Sequence, residues 1–398
     1  MSRLRVAMVV SHPIQHYAPM YREIAAAGDV DLGVFFACRW GIEEYRDPDF
    51  ARSIRWDVPL LDGYEHEFLP IRRAPTQINF RQIDNPAVGE ALARFDPGVV
   101  AVHGYALKTT LRAIFWGRRN ARPVLLVSDS SVSTPVTLWK KPLKRLFVRA
   151  IYRRLDGAMT IGDRNRAYHV EHGMPGDRLF PGALPVDAAR LRASAGRLAE
   201  ARTEVRRRFG IRDDAFVALF SGKLAPWKRP IDLAEAVCRI EGQGPGVVAL
   251  FAGDGSGRSA LDAFAARFPE RVVVAGFVNQ SEIAKLYAAS DVLAMPSSKD
   301  PHPLVVTEAA ALGVPSVVSD RCGCVGPTDV ARDGETALVY PCGDVGQLAA
   351  AISRLARDRD LRDRLAARAS EVAATQDVKP AAKAFAEAAK KLAEMGKR

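Results

Sequence analysis

Short, continuous runs of apolar and β-branched residues recur along the whole chain, separated by longer amphipathic stretches. The first half contains five such runs, at 6–10, 30–37, 99–104, 123–129 and 158–162. Continuous strands of this type are typical of parallel sheets buried on both faces, with helices as the crossover connections. The first half is therefore predicted to be one α/β unit.

A second series of the same kind follows a polar, arginine-rich stretch, 187–208, which is predicted to be a helix. Its runs lie at 215–222, 247–253, 271–278, 291–297, 315–320 and 337–341. They predict a second doubly wound parallel sheet. A chain of 398 residues is also too long for one ordinary hydrophobic core.

The two series meet where Pro181, Gly182 and Pro185 interrupt the pattern and Asp187 is placed to cap the following helix. We predict Rossmann-like domains over 1–188 and 189–376, and a terminal helix over 377–398 that packs back towards the first domain. Ligands of such sheets bind at the carboxyl ends of the strands, so two facing sheets predict a cleft between the domains.

The composition is that of a soluble globular enzyme, with 48% hydrophobic and 26% charged residues. No apolar run reaches the ~18 residues needed to span a bilayer. The start, 1–13, is basic and then apolar but lacks a small-residue cleavage site, so it is interpreted as a first strand. Five cysteines, an odd number, favour reduced thiols and a cytoplasmic location. Cys322 and Cys324 could form half a metal site, but no second pair at zinc spacing follows.

The formal charge of +11 implies acidic partners such as nucleic acid, anionic lipid or phosphorylated small molecules. Between Ala101 and Arg154 there are twelve basic residues against one acid, Asp129. The stretch 138–155 is predicted to be a basic amphipathic helix, which suits either a peripheral contact with an anionic membrane or an ordinary surface position. No recognised nucleic-acid-binding motif accompanies the charge, so nucleic acid is not expected as a partner.

Two lysines follow the first strand of the second series, in the stretch SGKLAPWKRP. Gly222, Lys223 and Lys228 are expected at the carboxyl edge of the sheet, where two ammonium groups can converge on a diphosphate. A solvated basic loop is the alternative interpretation.

Two acids, Asp300 and Glu308, flank the start of a predicted helix over 304–312 that Gly313 would cap. The amino end of this helix suits an anion such as a phosphate. Asp300 and Glu308 are eight residues apart, and eight residues of helix span about 12 Å. The two carboxylates are therefore expected to contact different parts of an extended ligand. Each can accept hydrogen bonds from vicinal hydroxyls, which suits a sugar at one and a ribose at the other.

These motifs, with GDG at 253–255, GFV at 276–278, SDVLAMPS, EAAALGVPSVVSD and RDGETALVYPCGD, occur in the order found in family-four retaining glycosyltransferases. The chain resembles that family over roughly 215–350. The resemblance implies a GT-B fold and a retaining, metal-independent transfer of a sugar from a nucleoside diphosphate to an acceptor hydroxyl. No cofactor is implied beyond the nucleotide-sugar co-substrate. The first domain would bind the acceptor, and the second the donor.

The resemblance also implies roles for individual residues. Lys223 and Lys228 would hold the diphosphate, Asp300 would contact the transferred sugar and Glu308 would bind the ribose. The other implied donor-binding residues are Gly222, Gly253, Phe277, Val278, His302, Pro303, Leu304 and Val305.

Three positions depart from the family pattern. Lys223 replaces the usual arginine, Asp300 replaces a glutamate and Pro303 replaces a glycine, which removes one backbone N–H donor. These changes concern the identity of the donor sugar more than the reaction.

The first half offers candidate acceptor- or sugar-binding residues after its strands. His12, Gln15 and His16 follow the first strand, where the resembled family often has a glycine-rich loop. Substrate hydrogen bonding, a structural loop and a zinc site are the three interpretations of this loop, and Pro13 weakens the last. His103 ends another strand and is predicted to be catalytic. Asp129 is predicted to contact an acceptor or to pair with an arginine.

Three other functions are also compatible with these sequence motifs. The GDGSG stretch invites a dinucleotide-binding interpretation, but Arg258 stands where the third glycine is required. A non-catalytic sugar-nucleotide-binding subunit would retain Glu308 and the lysines. A nucleotide-sugar epimerase of the same fold would convert its donor without an acceptor. The preferred function is a glycosyltransferase of cell-surface polysaccharide, glycolipid or other glycoconjugate synthesis, acting on a sugar, lipid-linked or small-molecule acceptor.

Overall fold

The computed structural model describes residues 3–47, 49–50, 52–132, 141–240 and 246–396. Two compact units divide the chain. The first comprises 1–46, 54–185 and 376–398, and the second comprises 47–53 and 186–375.

The first unit contains, among its described residues, a seven-stranded parallel sheet in the order β5-β2-β1-β6-β7-β8-β9. A separate two-stranded sheet pairs β3 with β4, and residues 47 and 52–53 of these strands belong to the second unit. The bounds are β1 Arg5–Val10, β2 Asp31–Phe36, β3 Tyr45–Asp47, β4 Arg52–Ile54, β5 Glu65–Phe68, β6 Val99–His103, β7 Val124–Val127, β8 Gly157–Thr160 and β9 Leu179–Pro181. The helices are α1 Ala18–Ala27, α2 Val88–Phe95, α3 Lys108–Arg119, α4 Lys141–Tyr152, α5 Asp163–Glu171 and, from the end of the chain, α14 Val378–Met395.

The second unit contains a six-stranded parallel sheet in the order β12-β11-β10-β13-β14-β15, again among the described residues. Its strands are β10 Phe216–Ser221, β11 Val247–Ala252, β12 Val272–Gly276, β13 Val292–Met295, β14 Ser316–Ser319 and β15 Ala337–Tyr340. Its helices are α6 Ala188–Ala195, α7 Leu198–Arg208, α8 Pro230–Arg239, α9 Arg258–Arg267, α10 Ile283–Ala289, α11 Leu304–Ala311, α12 Val345–Arg357 and α13 Arg359–Ala374.

Alternating side chains along the strands of the second unit pack into hydrophobic cores on both faces of its sheet. In β10, Val217 and Leu219 pack into one core and Ala218 and Phe220 pack into the other. Successive side chains of a strand point to opposite faces, so a strand covered on both sides must be apolar throughout. The predicted pair of doubly wound parallel sheets is confirmed.

Helix α14 is an integral part of the first unit. Phe385, Ala389 and Leu392 are buried, and the helix packs against α1 and against β6, β8 and β9. Lys390 adds an ion pair with Asp29, with 2.7 Å between Nζ and Oδ1.

The prediction of a single helix over 187–208 is wrong. Asp187 caps α6 as expected, accepting the backbone N–H of Arg190 at 2.9 Å. The chain then breaks at Gly196, whose φ of 61° lies in the left-handed region, and α7 begins two residues later. A residue without a side chain adopts that conformation at little cost, so the arginine-rich stretch folds as two helices.

The predicted basic helix at 138–155 begins outside the described residues, and its described part is α4. Val148, Ile151 and Tyr152 pack into the core of the first unit, whereas Leu146 and Phe147 are 66% and 53% exposed. The helix therefore has two apolar faces, and one of them is open to solvent. No helix in the described part of the chain is both long enough and apolar enough to cross a bilayer.

Candidate active site

Each sheet reverses its strand order at one place, and the candidate residues cluster there. In the second unit the reversal lies between β10 and β13. Gly222 and Lys223 directly follow β10, and Asp300 lies five residues beyond the end of β13. The crevice at such a switch point is where open α/β sheets bind ligands, because the loops on either side diverge.

Lys228 and Asp300 form an ion pair between Nζ and Oδ2. Their side chains are only 17% and 7% exposed, so solvent screens this pair poorly. Lys228 ends a short turn, Pro226–Lys228, which is tied to the loop after β13 because Ser298 donates its N–H to the carbonyl of Trp227 at 2.8 Å. The residues expected to hold the diphosphate and the sugar therefore lie in direct contact.

Glu308 lies on α11 and is buried. Its Oε2 accepts a hydrogen bond from the hydroxyl of Tyr287 at 2.7 Å. Burial raises the pKa of Glu308, while the hydrogen bond from Tyr287 and the charge of Arg190 oppose that rise. A carboxylate held by one oxygen has the other oxygen available for a ligand hydroxyl.

Helix α11 ends as the sequence predicts. Gly313 follows with a φ of 74°, and Val314 donates its N–H to the carbonyl of Ala309 at 2.9 Å. Pro303 is the N-cap residue, and Leu304 and Val305 form the partly buried first turn, packed against the core. Val278, the last residue of the GFV stretch that begins at the end of β12, packs against the same core.

His302 is buried and pairs with Asp329, with 3.0 Å between Nε2 and Oδ1. Among the described residues, its Nδ1 has no hydrogen-bond partner. The carboxylate of Asp329 is a hydrogen-bond acceptor, which assigns a proton to Nε2 of His302.

The phosphate-side loops approach each other closely at two glycines. A Cβ at Gly253 would lie 1.8 Å from the carbonyl oxygen of Gly222, and Gly222 itself has a φ of 143°. Only glycine permits this packing of the loop after β11 on the loop after β10.

Lys223 forms ion pairs with two acids from an earlier part of the chain. Its Nζ lies 2.8 Å from Oδ2 of Asp49 and 3.3 Å from Oδ1 of Asp47. Both acids belong to segment 47–53, which is part of the second unit. These two acids could not be predicted from the sequence, because nothing in a short polar loop indicates a partner so distant in the chain.

In the first unit the strand order reverses between β1 and β6, and the histidines lie at that point. His12, Gln15 and His16 follow β1, and His103 ends β6. Tyr17, which the sequence analysis did not single out, lies between two of them. Its ring centroid is 4.5 Å from that of His16 and 4.2 Å from that of His103.

Burial lowers the pKa of His16 to about 3, with a further contribution from His12. Burial likewise lowers the pKa of His103 to about 3, with contributions from His16 and His12. Within the described part of the chain, Nε2 of His103 is buried without a hydrogen-bond partner. The ring is therefore neutral at physiological pH and suits a hydrogen bond with a neutral group better than an ion pair.

Asp129 is exposed at the end of β7, in a loop held by Asn165. The amide of Asn165 donates to the carbonyls of Ser128 at 2.9 Å and Ser130 at 2.7 Å. Its Oδ1 accepts the N–H of Ile161 at 3.0 Å, so one buried side chain joins the ends of β7 and β8. Asn165 thereby fixes the position of the loop that carries Asp129.

A cavity of about 410 Å³ opens beside the carboxyl ends of β2 and β5. Cys38, Trp40, Tyr45, Phe68, Ile71 and Pro75 contribute to its wall. Trp40 stacks on Tyr45 with centroids 4.5 Å apart and approaches His12 edge-on at 6.5 Å. This aromatic cavity therefore adjoins the histidine loop.

His12, His16, Cys322 and Cys324 are the candidate metal ligands of the sequence. In the described ranges, no three His, Cys, Asp or Glu residues cluster in a way that could hold a metal ion. Cys322 and Cys324 are both buried in the core, and burial raises the pKa of the Cys322 thiol to about 12.

The second unit contains a match to a known protein family. Residues 201–372 match the family model described as glycosyl transferases group 1. The D-inositol 3-phosphate glycosyltransferase of Nocardioides sp. is 35% identical over 189 residues, which cover 43% of this chain and 41% of that protein. The lipopolysaccharide core biosynthesis glycosyltransferase LpsE of Rhizobium meliloti is 38% identical over 160 residues, covering 40% of this chain and 44% of LpsE. The match thus spans less than half of each relative.

Solved structures resemble nearly the whole chain. Anabaena HepE in complex with UDP has a TM-score of 0.72 at 16% identity, covering 96% of this chain and 99% of that one. WaaG, a glycosyltransferase involved in lipopolysaccharide biosynthesis, has a TM-score of 0.65 at 16% identity, with 96% and 98% covered. At such identities the likeness establishes the fold, which is of the GT-B type with two Rossmann-like domains.

Proposed function

We propose that the chain transfers a sugar from a nucleoside-diphosphate sugar to an acceptor hydroxyl, because residues 201–372 match the family model described as glycosyl transferases group 1. The observation that carries the proposal is the ion pair of Lys228 with Asp300 at the switch point of the second sheet, where Lys223 also follows β10. Glu308, held by Tyr287, supplies a carboxylate for the ribose. HepE, which shares the fold, has been solved with UDP, and a uridine donor is the first to test.

The proposed transfer is retaining and needs no metal. Lys223, Lys228 and the amino end of α11 supply positive potential for the departing diphosphate, the part that a divalent cation plays in other transferases. In the proposed front-face route, the bond from the anomeric carbon to the phosphate oxygen breaks as the acceptor oxygen attacks from the same side. The leaving phosphate oxygen takes the acceptor's proton, so no carboxylate nucleophile is required.

Asp300 is proposed to orient the transferred sugar in the second unit, and His103 is proposed to bind a substrate hydroxyl in the first unit. Asp300 accepts hydrogen bonds from sugar hydroxyls while remaining paired with Lys228. His103 is neutral, and its Nε2 is proposed to form one hydrogen bond with a substrate hydroxyl.

The acceptor is proposed to bind the first unit, at the histidine loop and Asp129. The adjoining aromatic cavity suits an apolar or ring-shaped part of that acceptor, because stacked aromatic side chains provide a rigid, low-entropy contact surface. Its volume falls within the range of small-molecule sites.

A peripheral contact with an anionic membrane is proposed through α4. Leu146 and Phe147 are exposed beside Arg145 and Arg149, which are also exposed. Apolar side chains flanked by arginines match the interfacial type of amphipathic helix. Such a contact would place the enzyme close to a lipid-linked acceptor.

The test is a panel of UDP, GDP, ADP and TDP sugars, screened by thermal shift and then by product analysis. A ligand that binds only the folded state raises the melting temperature. We expect one base to give a shift that Glu308→Ala abolishes, and transfer that persists in EDTA with the donor's anomeric configuration in the product. Binding without transfer to any acceptor would favour a non-catalytic subunit, and conversion of the donor alone would favour an epimerase.

A further inference from the structure

Segment 47–53 is built into the second unit although it comes from the first half of the sequence. Its turn is organised by Asp47, whose Oδ1 accepts the backbone N–H groups of Asp49 at 2.9 Å and Phe50 at 3.0 Å. An aspartate that bonds its own downstream backbone in this way holds a tight turn. The turn directs a second carboxylate, that of Asp49, onto Lys223.

The ammonium of Lys223 is occupied on several sides by this segment. Asp49 and Asp47 lie 2.8 Å and 3.3 Å from its Nζ, and the ring centroid of Phe50 lies 5.2 Å away. A lysine offers three hydrogens, and two carboxylates more than neutralise its single charge. In this state Lys223 has little attraction left for a diphosphate.

The same segment also covers Phe277, which is expected to lie beside the nucleotide base. The rings of Phe50 and Phe277 meet edge to face with centroids 5.3 Å apart and an angle of 89°. The guanidinium of Arg52 lies 4.7 Å from the centroid of Phe277 and pairs with Asp254 at 3.7 Å. The same turn thus places the carboxylates of Asp47 and Asp49 at Lys223 and the ring of Phe50 at Phe277.

The backbone of the segment fits closely against the loop after β11. A Cβ at Gly255 would lie 2.8 Å from the carbonyl oxygen of Asp49, at a φ of 148° that also favours glycine. The absence of a side chain at residue 255 is therefore what permits the segment to come so near.

We propose that segment 47–53 is an internal competitor of the nucleotide-sugar. Its carboxylates lie where the diphosphate would bind Lys223, and the ring of Phe50 covers Phe277. The segment must move away from Lys223 before the donor can bind. This inference rests on the proposed function. The opposite arrangement, in which the acids orient Lys223 for the donor, predicts weaker binding in both asparagine variants described below.

The experiment is calorimetric titration of the full chain with UDP, GDP, ADP, TDP and inorganic pyrophosphate. Asp49→Asn and the double variant Asp47→Asn with Asp49→Asn remove the charges while keeping the shapes, and an asparagine at 47 can still accept the two turn hydrogen bonds. An ion pair as exposed as this contributes modestly, so we expect about two- to fivefold tighter binding for Asp49→Asn and up to about tenfold for the double variant. Phe50→Ala should tighten the nucleotides but not pyrophosphate.

Glu44→Gln is the matched control, since it removes one exposed negative charge three residues before Asp47. It should change affinity by less than twofold. Equal or weaker binding in both asparagine variants, with the wild type binding a nucleotide, would overturn the competitor and leave the proposed function standing. If no variant binds any nucleotide while all melt like the wild type, both proposals fail.

Discussion

Acidification is predicted to destabilise the first unit through His16 and His103. Burial lowers the pKa of each to about 3 from an ordinary value of 6.5. The unfolded chain takes up these protons as the pH falls below 6.5, whereas the folded chain does so only near pH 3. The stability that depends on the neutral rings is therefore fully present above pH 6.5 and is lost as the pH falls towards 3.

The size of the effect follows from the two pKa values. Between pH 7.5 and 5.5, each histidine lowers the free energy of unfolding by about 1.4 kcal/mol, and the pair by about 2.7 kcal/mol. For a unit of this size, 1 kcal/mol corresponds to roughly 2–4 °C in melting temperature. The two rings together thus account for a fall of about 5–10 °C.

Thermal unfolding at pH 7.5 and 5.5 measures this directly. The double variant His16→Asn with His103→Asn should lose about 5–10 °C less than the wild type over that interval. His66→Asn, which removes an exposed histidine of the same unit, should follow the wild type. If the double variant loses as much stability as the wild type, burial does not hold the two rings neutral.

Three further predictions follow from other parts of the structure. Arg206→Met removes a buried guanidinium that pairs with Asp291 at 3.0 Å and donates to three carbonyl oxygens at 2.9–3.0 Å, and urea unfolding should register a loss of about 3–5 kcal/mol. Tyr287→Phe leaves the carboxylate of Glu308 without its 2.7 Å hydrogen bond, so calorimetry should record about tenfold weaker nucleotide binding. Leu146→Ser with Phe147→Ser should abolish most sedimentation with phosphatidylserine vesicles, and unchanged sedimentation would exclude α4 as the contact.

The regular part of the fold could be predicted from the sequence because a two-sided core requires continuous apolar strands. Run 247–253 became β11 and run 337–341 became β15, each within a residue or two. Strand β5, with the sequence EHEF, was missed because an edge strand with exposed residues carries no such signal.

The residues of the candidate site could be named, but their pairings could not. Spacing placed Lys228 and Asp300 at the same sheet edge, yet their direct ion pair depends on the loops after β10 and β13, which have no periodic pattern. The contact of Asp49 with Lys223 joins positions 174 residues apart, and only the tertiary structure brings them together. Local sequence patterns determine helices and strands, whereas contacts between residues distant in the chain depend on the packing of the whole unit.

The position of α14 has a consequence for how the chain is made. The first unit is completed by a helix that is synthesised after the whole of the second unit. The surface formed by α1, β8 and β9 therefore stays exposed to solvent while residues 186–375 are synthesised and fold. The second unit can therefore complete its folding before the first unit does, although synthesis of the first unit begins earlier.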